Sequence, residues 1–179
     1  GILTSNEMFK RLFFQNNTES ENLLDTGRIC SIFISFNIEY NKEDYNNELN
    51  IIGRIIDKKT IELLKYIKEL NNRQIVQNRG NMRAILPHAI ANRLANEFLE
   101  SIPIDFLINE IKNCKRLQLS FFRRLKFLHN KEYSIQIANF HLEQINFLNV
   151  NKYEIEIIDC IKVISPEKVL NKLEQITQE

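Results

Sequence analysis

Between Gln74 and Leu86 the chain abandons helical spacing for two short extended runs, and that switch restricts the folds open to it. Gln74-Ile75-Val76-Gln77 and Met82-Arg83-Ala84-Ile85-Leu86 flank Asn78-Arg79-Gly80-Asn81, a Gly/Asn turn. The pattern predicts a β-hairpin over about 74–86. Upstream, Ile32, Ile34, Phe36 and Ile38 alternate, with Phe33 breaking the series, so a short strand is expected within 31–38. Helices are expected near 47–56 and 59–71; in the second, Ile61, Leu64, Ile67 and Leu70 recur at helical spacing and Leu63 broadens the stripe. Pro87 fits the first position of a further helix, where its missing N–H costs little. That helix would carry Ile90, Leu94 and Phe98 with Ala91, Ala95 and Leu99 on one apolar face. Strand, helix, helix, hairpin is the order of elements in a winged helix after its first helix.

The flanks read as helical. Thr4-x-x-Glu7 and Thr18-x-x-Glu21 fit the capping box, placing helices near 5–15 and 19–31. After Pro103 come segments to about Asn113, from Lys115 to His129, from Lys131 to Phe147 and near 152–164, with Ser165-Pro166 capping a last helix. The expected fold class is mainly α with a small β-ribbon. A winged-helix domain over 1–100 is followed by an α-helical domain over 101–179, read as the start of a helical or repeat region. Four Gly and three Pro argue against a turn-dense β-sandwich. No apolar run approaches the roughly 18 residues of a membrane helix. Cys30, Cys114 and Cys160 are odd in number and share no metal spacing, which suits core thiols in a reducing, cytoplasmic setting. The chain opens on Gly1 rather than Met and is read as a piece of something longer.

Little in the sequence suggests an enzyme. Gly1, Gly27, Gly53 and Gly80 are isolated, so no phosphate-cradling loop is present. His88, His129 and His141 lack the spaced partners of a zinc site, and no serine or cysteine stands in a nucleophile elbow. The charge is more telling. Of 24 basic and 23 acidic residues, 9 and 4 lie within 76–130, giving that stretch +5 between flanks of −1 and −3. His88 falls there, in the expected first turn of a helix, where unpaired N–H groups and a partial positive charge suit a phosphate. Arg83 stands on the incoming strand as its candidate companion. Arg79, Arg93, Arg116, Arg123 and Arg124 are the candidate basic surface, the last three beside an apolar stripe of Leu117, Phe121, Leu125 and Leu128. The bland alternatives are a histidine that packs locally, wing arginines in solvent, and a core helix with a solvated basic face.

At Arg83-Ala-Ile-Leu-Pro-His-Ala-Ile-Ala-Asn-Arg-Leu-Ala95 the chain resembles the winged-helix and following helical region of bacterial STAND NTPases, the NLR-like ATPases of antiphage defence (Avs type). The likeness continues through Leu119-Ser-Phe-Phe-Arg-Arg-Leu-Lys-Phe-Leu-His129 and ends near Val163-Ile-Ser-Pro-Glu-Lys-Val-Leu170; upstream, Cys30-Ser-Ile-Phe-Ile-Ser-Phe36 fits the first helix-to-strand junction. In that family a His after the wing, within a Met-His-Asp motif, contacts the β-phosphate of ADP in the resting state. By position His88 is that residue, although Ala89 stands in place of the Asp and no Met precedes the His. The resemblance implies a non-catalytic relay that clamps the ADP-bound state and swings outward when ATP replaces ADP. It implies no cofactor in this segment itself, with ADP or ATP held by the full-length protein. The implied partners are an upstream ATPase core of the same chain, downstream sensor repeats and further copies in an activated homo-oligomer.

Two other classes compete. A DNA-binding winged-helix regulator would read bases with the helix near 59–70, but that helix carries Lys59, Lys65 and Lys68 against Glu62 and Glu69, with no Arg, Asn or Gln on it to read base edges. A net charge of −1 over 1–75 also argues against phosphate attraction. The third reading is a plain helical adaptor in which His88 has no nucleotide role.

Overall fold

The computed structural model of the chain describes residues 4–14 and 20–178. Among them are ten α-helices and one three-stranded antiparallel sheet. The first capping box forms as its spacing predicts. The Glu7 N–H donates to Thr4 Oγ1 at 3.2 Å, and the Thr4 N–H donates to Glu7 Oε2 at 2.9 Å, which opens α1 (Ser5–Phe14). Thr18 of the second box lies outside the described residues, and α2 runs Ser20–Ser31.

The strand expected within 31–38 contracts to β1 (Phe36–Asn37). Of the alternating residues, Ile32 and Phe36 are buried and Ile34 and Ile38 half-buried; Phe33, the break in the series, is buried as well, and the backbone between them bonds elsewhere. The N–H of Ile34 goes to the Ser120 carbonyl and that of Ser35 to Ser120 Oγ, at 3.2 and 3.0 Å. A strand whose donors are taken by a helix cannot pair in a sheet. Next come α3 (Glu48–Ile55), with Asn47 Oδ1 accepting from the Leu49 N–H, and α4 (Thr60–Asn72). The hairpin then forms from β2 (Val76–Arg79) and β3 (Met82–Ile85). Its two-residue loop opens on Gly80 at φ 57°, the left-handed position that favours glycine. Strand order is β1-β3-β2, with Phe36 opposite Arg83 and Val76 opposite Ile85.

Six helices complete the chain: α5 (His88–Ser101), α6 (Ile104–Ile111), α7 (Lys115–Leu125), α8 (Glu132–Gln144), α9 (Lys152–Ile164) and α10 (Pro166–Thr177). A 3-10 turn, Lys126–Leu128, extends α7. Pro87 is the residue before α5 rather than its first, and Ser165 caps α10 without a side-chain hydrogen bond. The buried apolar side chains form one continuous core from Phe9 to Val169, crossing residue 100 without a break.

One face of α7 ties this core together. Arg116, Ser120 and Arg124 recur every four residues, so they project from one side of the helix. All three reach the end of α2 or the loop that follows it. Arg116 Nη2 donates to the Ser35 carbonyl at 3.1 Å, Ser120 Oγ donates to the same carbonyl, and Arg124 Nε donates to the Ser31 carbonyl at 2.8 Å. Arg116 also grips Glu48 through Nε and Nη2, and Glu48 Oε2 accepts from the Asn37 N–H at 2.6 Å.

Candidate functional site

The first turn of α5 follows β3 through Leu86 and Pro87. Pro87 supplies no side-chain cap, and the turn holds no acidic residue. The Ile90 and Ala91 N–H groups bond back to the Pro87 carbonyl at 3.0 and 3.1 Å. Those of His88 and Ala89 stand ahead of the ladder, as at every helix start. His88 is exposed. Its ring lies over that of Phe127 on the 3-10 turn, with centroids 5.8 Å apart and planes 21° from parallel. The carbon at the centre of the Arg124 guanidinium is 5.9 Å from the Phe127 ring centroid, and Arg124 Nη1 donates to Asn92 Oδ1 at 2.6 Å. Asn92 lies one turn beyond His88 in α5. A row of His88, Phe127, Arg124 and Asn92 thus fastens the start of α5 to the end of α7.

This arrangement suits an anion. The helix end offers N–H donors and a partial positive charge, without a carboxylate in its first turn to neutralise it. The exposed imidazole adds a donor or acceptor directed from a ring whose face is packed on Phe127. Among the described residues no cluster of His, Cys, Asp or Glu could hold a metal, and no helix is long and apolar enough to cross a membrane.

The other candidates scatter. Arg83 bends back along the hairpin, its Nη1 donating to the Gly80 and Met82 carbonyls at 2.7 and 2.9 Å. That is the turn end of β3, whereas His88 follows the opposite end, so the two side chains are not brought together. Arg79 is exposed on the hairpin. Arg93 lies 3.8 Å over the Phe9 ring and bonds to Asn6 and Glu97. Arg116 is committed to Glu48, and Arg123 pairs with Glu156 on the surface.

Arg124 is the clear correction. Expected on a basic surface, it is fully buried, at 0% exposure. It lies seven residues after Leu117, two helical turns along the same apolar face. Its bonds to Ser31 and Asn92 satisfy two nitrogens, while Nη2 has no partner among the described residues. Burial lowers its pKa to about 10, so the guanidinium stays charged at neutral pH. Phe127 and Asn92 were not legible as site residues. A lone aromatic and a lone amide carry no spacing signal, and only the fold sets them beside His88.

A second histidine is half-buried. His141 on α8 packs its ring 4.8 Å from that of Phe122, and its Nε2 is shut from water, without a partner among the described residues. Burial first, and the Lys115 charge second, push its pKa down to about 4. The native ring is therefore neutral at pH values where an unfolded one, near 6.5, takes up a proton. Stability is complete above about pH 6.5 and falls as the pH drops towards 4. The expected loss is about 2–3 kcal/mol by pH 4, seen as a lower urea midpoint, and His141→Phe should flatten that part of the profile. An unchanged pH profile in the variant would refute this assignment.

Comparison with protein-family models, with curated proteins and with solved structures finds no match for this chain.

Proposed function

We propose that this chain is a non-catalytic relay segment of a STAND-type NTPase of antiviral defence, working in the cytoplasm. Its winged-helix domain would run to the end of α5, at about residue 100, and the helices after α5 would form its helical domain. The order α2, β1, α3, α4, β2, β3 and the strand order β1-β3-β2 support that assignment. The observation that carries the reading is the start of α5: an exposed His88 on a helix end with no side-chain cap and no acid in its first turn. In the resting protein His88 would donate to the β-phosphate of ADP held by the upstream ATPase core. Exchange for ATP would release α5, and the module would move outward as one bistable element. Ile155, Val163, Leu170 and Leu173 are apolar and exposed on α9 and α10, a surface on which downstream repeats would pack.

The neutralised basic face weighs against the DNA-binding alternative. Of the five surface arginines expected, Arg93, Arg116 and Arg123 are in ion pairs and Arg124 is buried, which leaves little for a phosphate backbone to attract.

The test is the nucleotide that the full-length protein retains on purification. The parent should carry ADP, and His88→Ala should bind it about tenfold more weakly and signal without its trigger, the effect of losing one hydrogen bond to a charged group. Equal ADP retention and equal silence in the variant would overturn the clamp. A reading frame without a Walker A loop ahead of Gly1 would overturn the class.

A further inference from the structure

Two exposed rings from separate elements meet where α5 begins. His88 belongs to the first turn of α5, and Phe127 to the 3-10 turn Lys126–Leu128 that extends α7. Their centroids lie 5.8 Å apart with planes 21° from parallel, which is offset-stacking geometry. Among the described residues no hydrogen bond or ion pair holds the imidazole. An exposed side chain without a polar partner samples several rotamers, and fixing one of them costs conformational entropy. The Phe127 face is therefore what restricts the His88 ring. Phe127 is itself well placed, although its side chain is 53% exposed. Leu128 beside it is buried in the core, the Leu128 carbonyl accepts from the Lys131 N–H at 3.1 Å, and α9 packs against the turn. The Arg124 guanidinium lies 5.9 Å from the Phe127 centroid and is fixed in turn by Ser31 and Asn92.

We infer that Phe127 is a positioning residue for His88: it covers one face of the imidazole and fixes its plane, and so sets the direction in which the ring nitrogens meet a phosphate. The inference rests on the clamp reading and deepens it, because the clamp then needs the extension of α7 as well as the start of α5. A ring held in advance loses less freedom when the phosphate arrives, which strengthens the contact without adding a new one. The flat aromatic face is what matters. Leucine keeps an apolar side chain on the turn but has no ring to stack, whereas tyrosine keeps the ring. The clamp accordingly weakens whenever the turn after α7 moves away from α5, even if His88 and its helix are unchanged.

The test has two arms. In the chain itself, proton magnetic resonance should show the His88 ring signals displaced by the ring current of Phe127. Phe127→Leu should return them to the positions of a free histidine, and Phe127→Tyr should leave them displaced. In the full-length protein, Phe127→Leu should bind ADP about threefold more weakly and Phe127→Tyr as tightly as the parent. Phe127→Leu combined with His88→Ala should bind ADP no more weakly than His88→Ala alone, because the phenyl ring acts only through the imidazole. His88 signals that do not move in Phe127→Leu would overturn the positioning role. So would unchanged ADP affinity in Phe127→Leu beside a weakened His88→Ala, or losses that add in full in the double variant. If His88→Ala itself keeps ADP, the clamp reading falls, and the role of Phe127 at the nucleotide falls with it; displaced His88 signals in the parent would then show a stacked ring and no clamp.

Discussion

Arg124→Ala is expected to lower the free energy of unfolding by about 4 kcal/mol. The guanidinium is fully buried and no carboxylate pays for it among the described residues. It is held there by the Ser31 carbonyl, at the last turn of α2, and by Asn92 on α5. The carbonyls of a helix's last turn have no intrahelical partner, so Arg124 satisfies one that burial hides from water. Alanine removes the donor from both acceptors and leaves a cavity in the core. Each orphaned acceptor costs about 1–3 kcal/mol, and the cavity adds to that. Arg124→Met separates the two contributions. It keeps most of the volume and loses only the donors, so about half the loss should return. Urea titration of both variants measures this. A loss below about 1 kcal/mol for alanine would mean that water replaces the guanidinium and that the bonds to α2 and α5 do little.

The same residue marks the limit of what the chain's pattern discloses. Arg123-Arg124 reads as a solvated pair because charge in a run predicts exposure, yet the α-helical period sets Arg124 on the Leu117 face. Both readings are local, and only the position of α2 decides between them. The hairpin was legible as a hairpin, since extended runs around a Gly/Asn turn are written within a dozen residues, but its register was not: Asn78 and Arg79, expected in the turn, pair with Arg83 and Met82. The strand over 31–38 was not, because its donors are taken by Ser120, which lies 85 residues further on. His88 at a helix start was likewise readable from Pro87 and the apolar period behind it. Phe127 beneath it, and the unpaired atoms of Gln118 and His141, depend on which helices meet. Periodicity predicts the elements and their buried faces, and it is silent on which faces are neighbours.

Gly53→Ala is expected to destabilise the chain by about 2–4 kcal/mol, against the usual sign for glycine in a helix. In an open helix the exchange gains about 1 kcal/mol, because alanine loses less backbone freedom. Gly53 sits in α3 with ordinary helical dihedrals, so conformation gives no reason for glycine. Space does. A Cβ there would lie 2.6 Å from the Lys58 carbonyl oxygen, with the Lys58 carbonyl carbon at 3.7 Å and the Thr60 nitrogen at 3.9 Å. The Lys58 N–H donates to the Gly53 carbonyl at 2.8 Å, and Asp57 takes a left-handed φ of 53° to bring the chain round. The turn from α3 to α4 therefore passes directly over the glycine, backbone against backbone, where no rotamer change gives relief. To admit a methyl group the turn must lift, break the Lys58 bond and tilt α4, whose Leu63, Tyr66, Ile67 and Leu70 are buried in the core. Gly53→Val should cost more than alanine, and the order Gly, Ala, Val in melting temperature distinguishes crowding from propensity. Propensity alone would put alanine above glycine; a melting temperature for Gly53→Ala equal to or above the parent's would show that the turn yields and that α4 is not set by this contact.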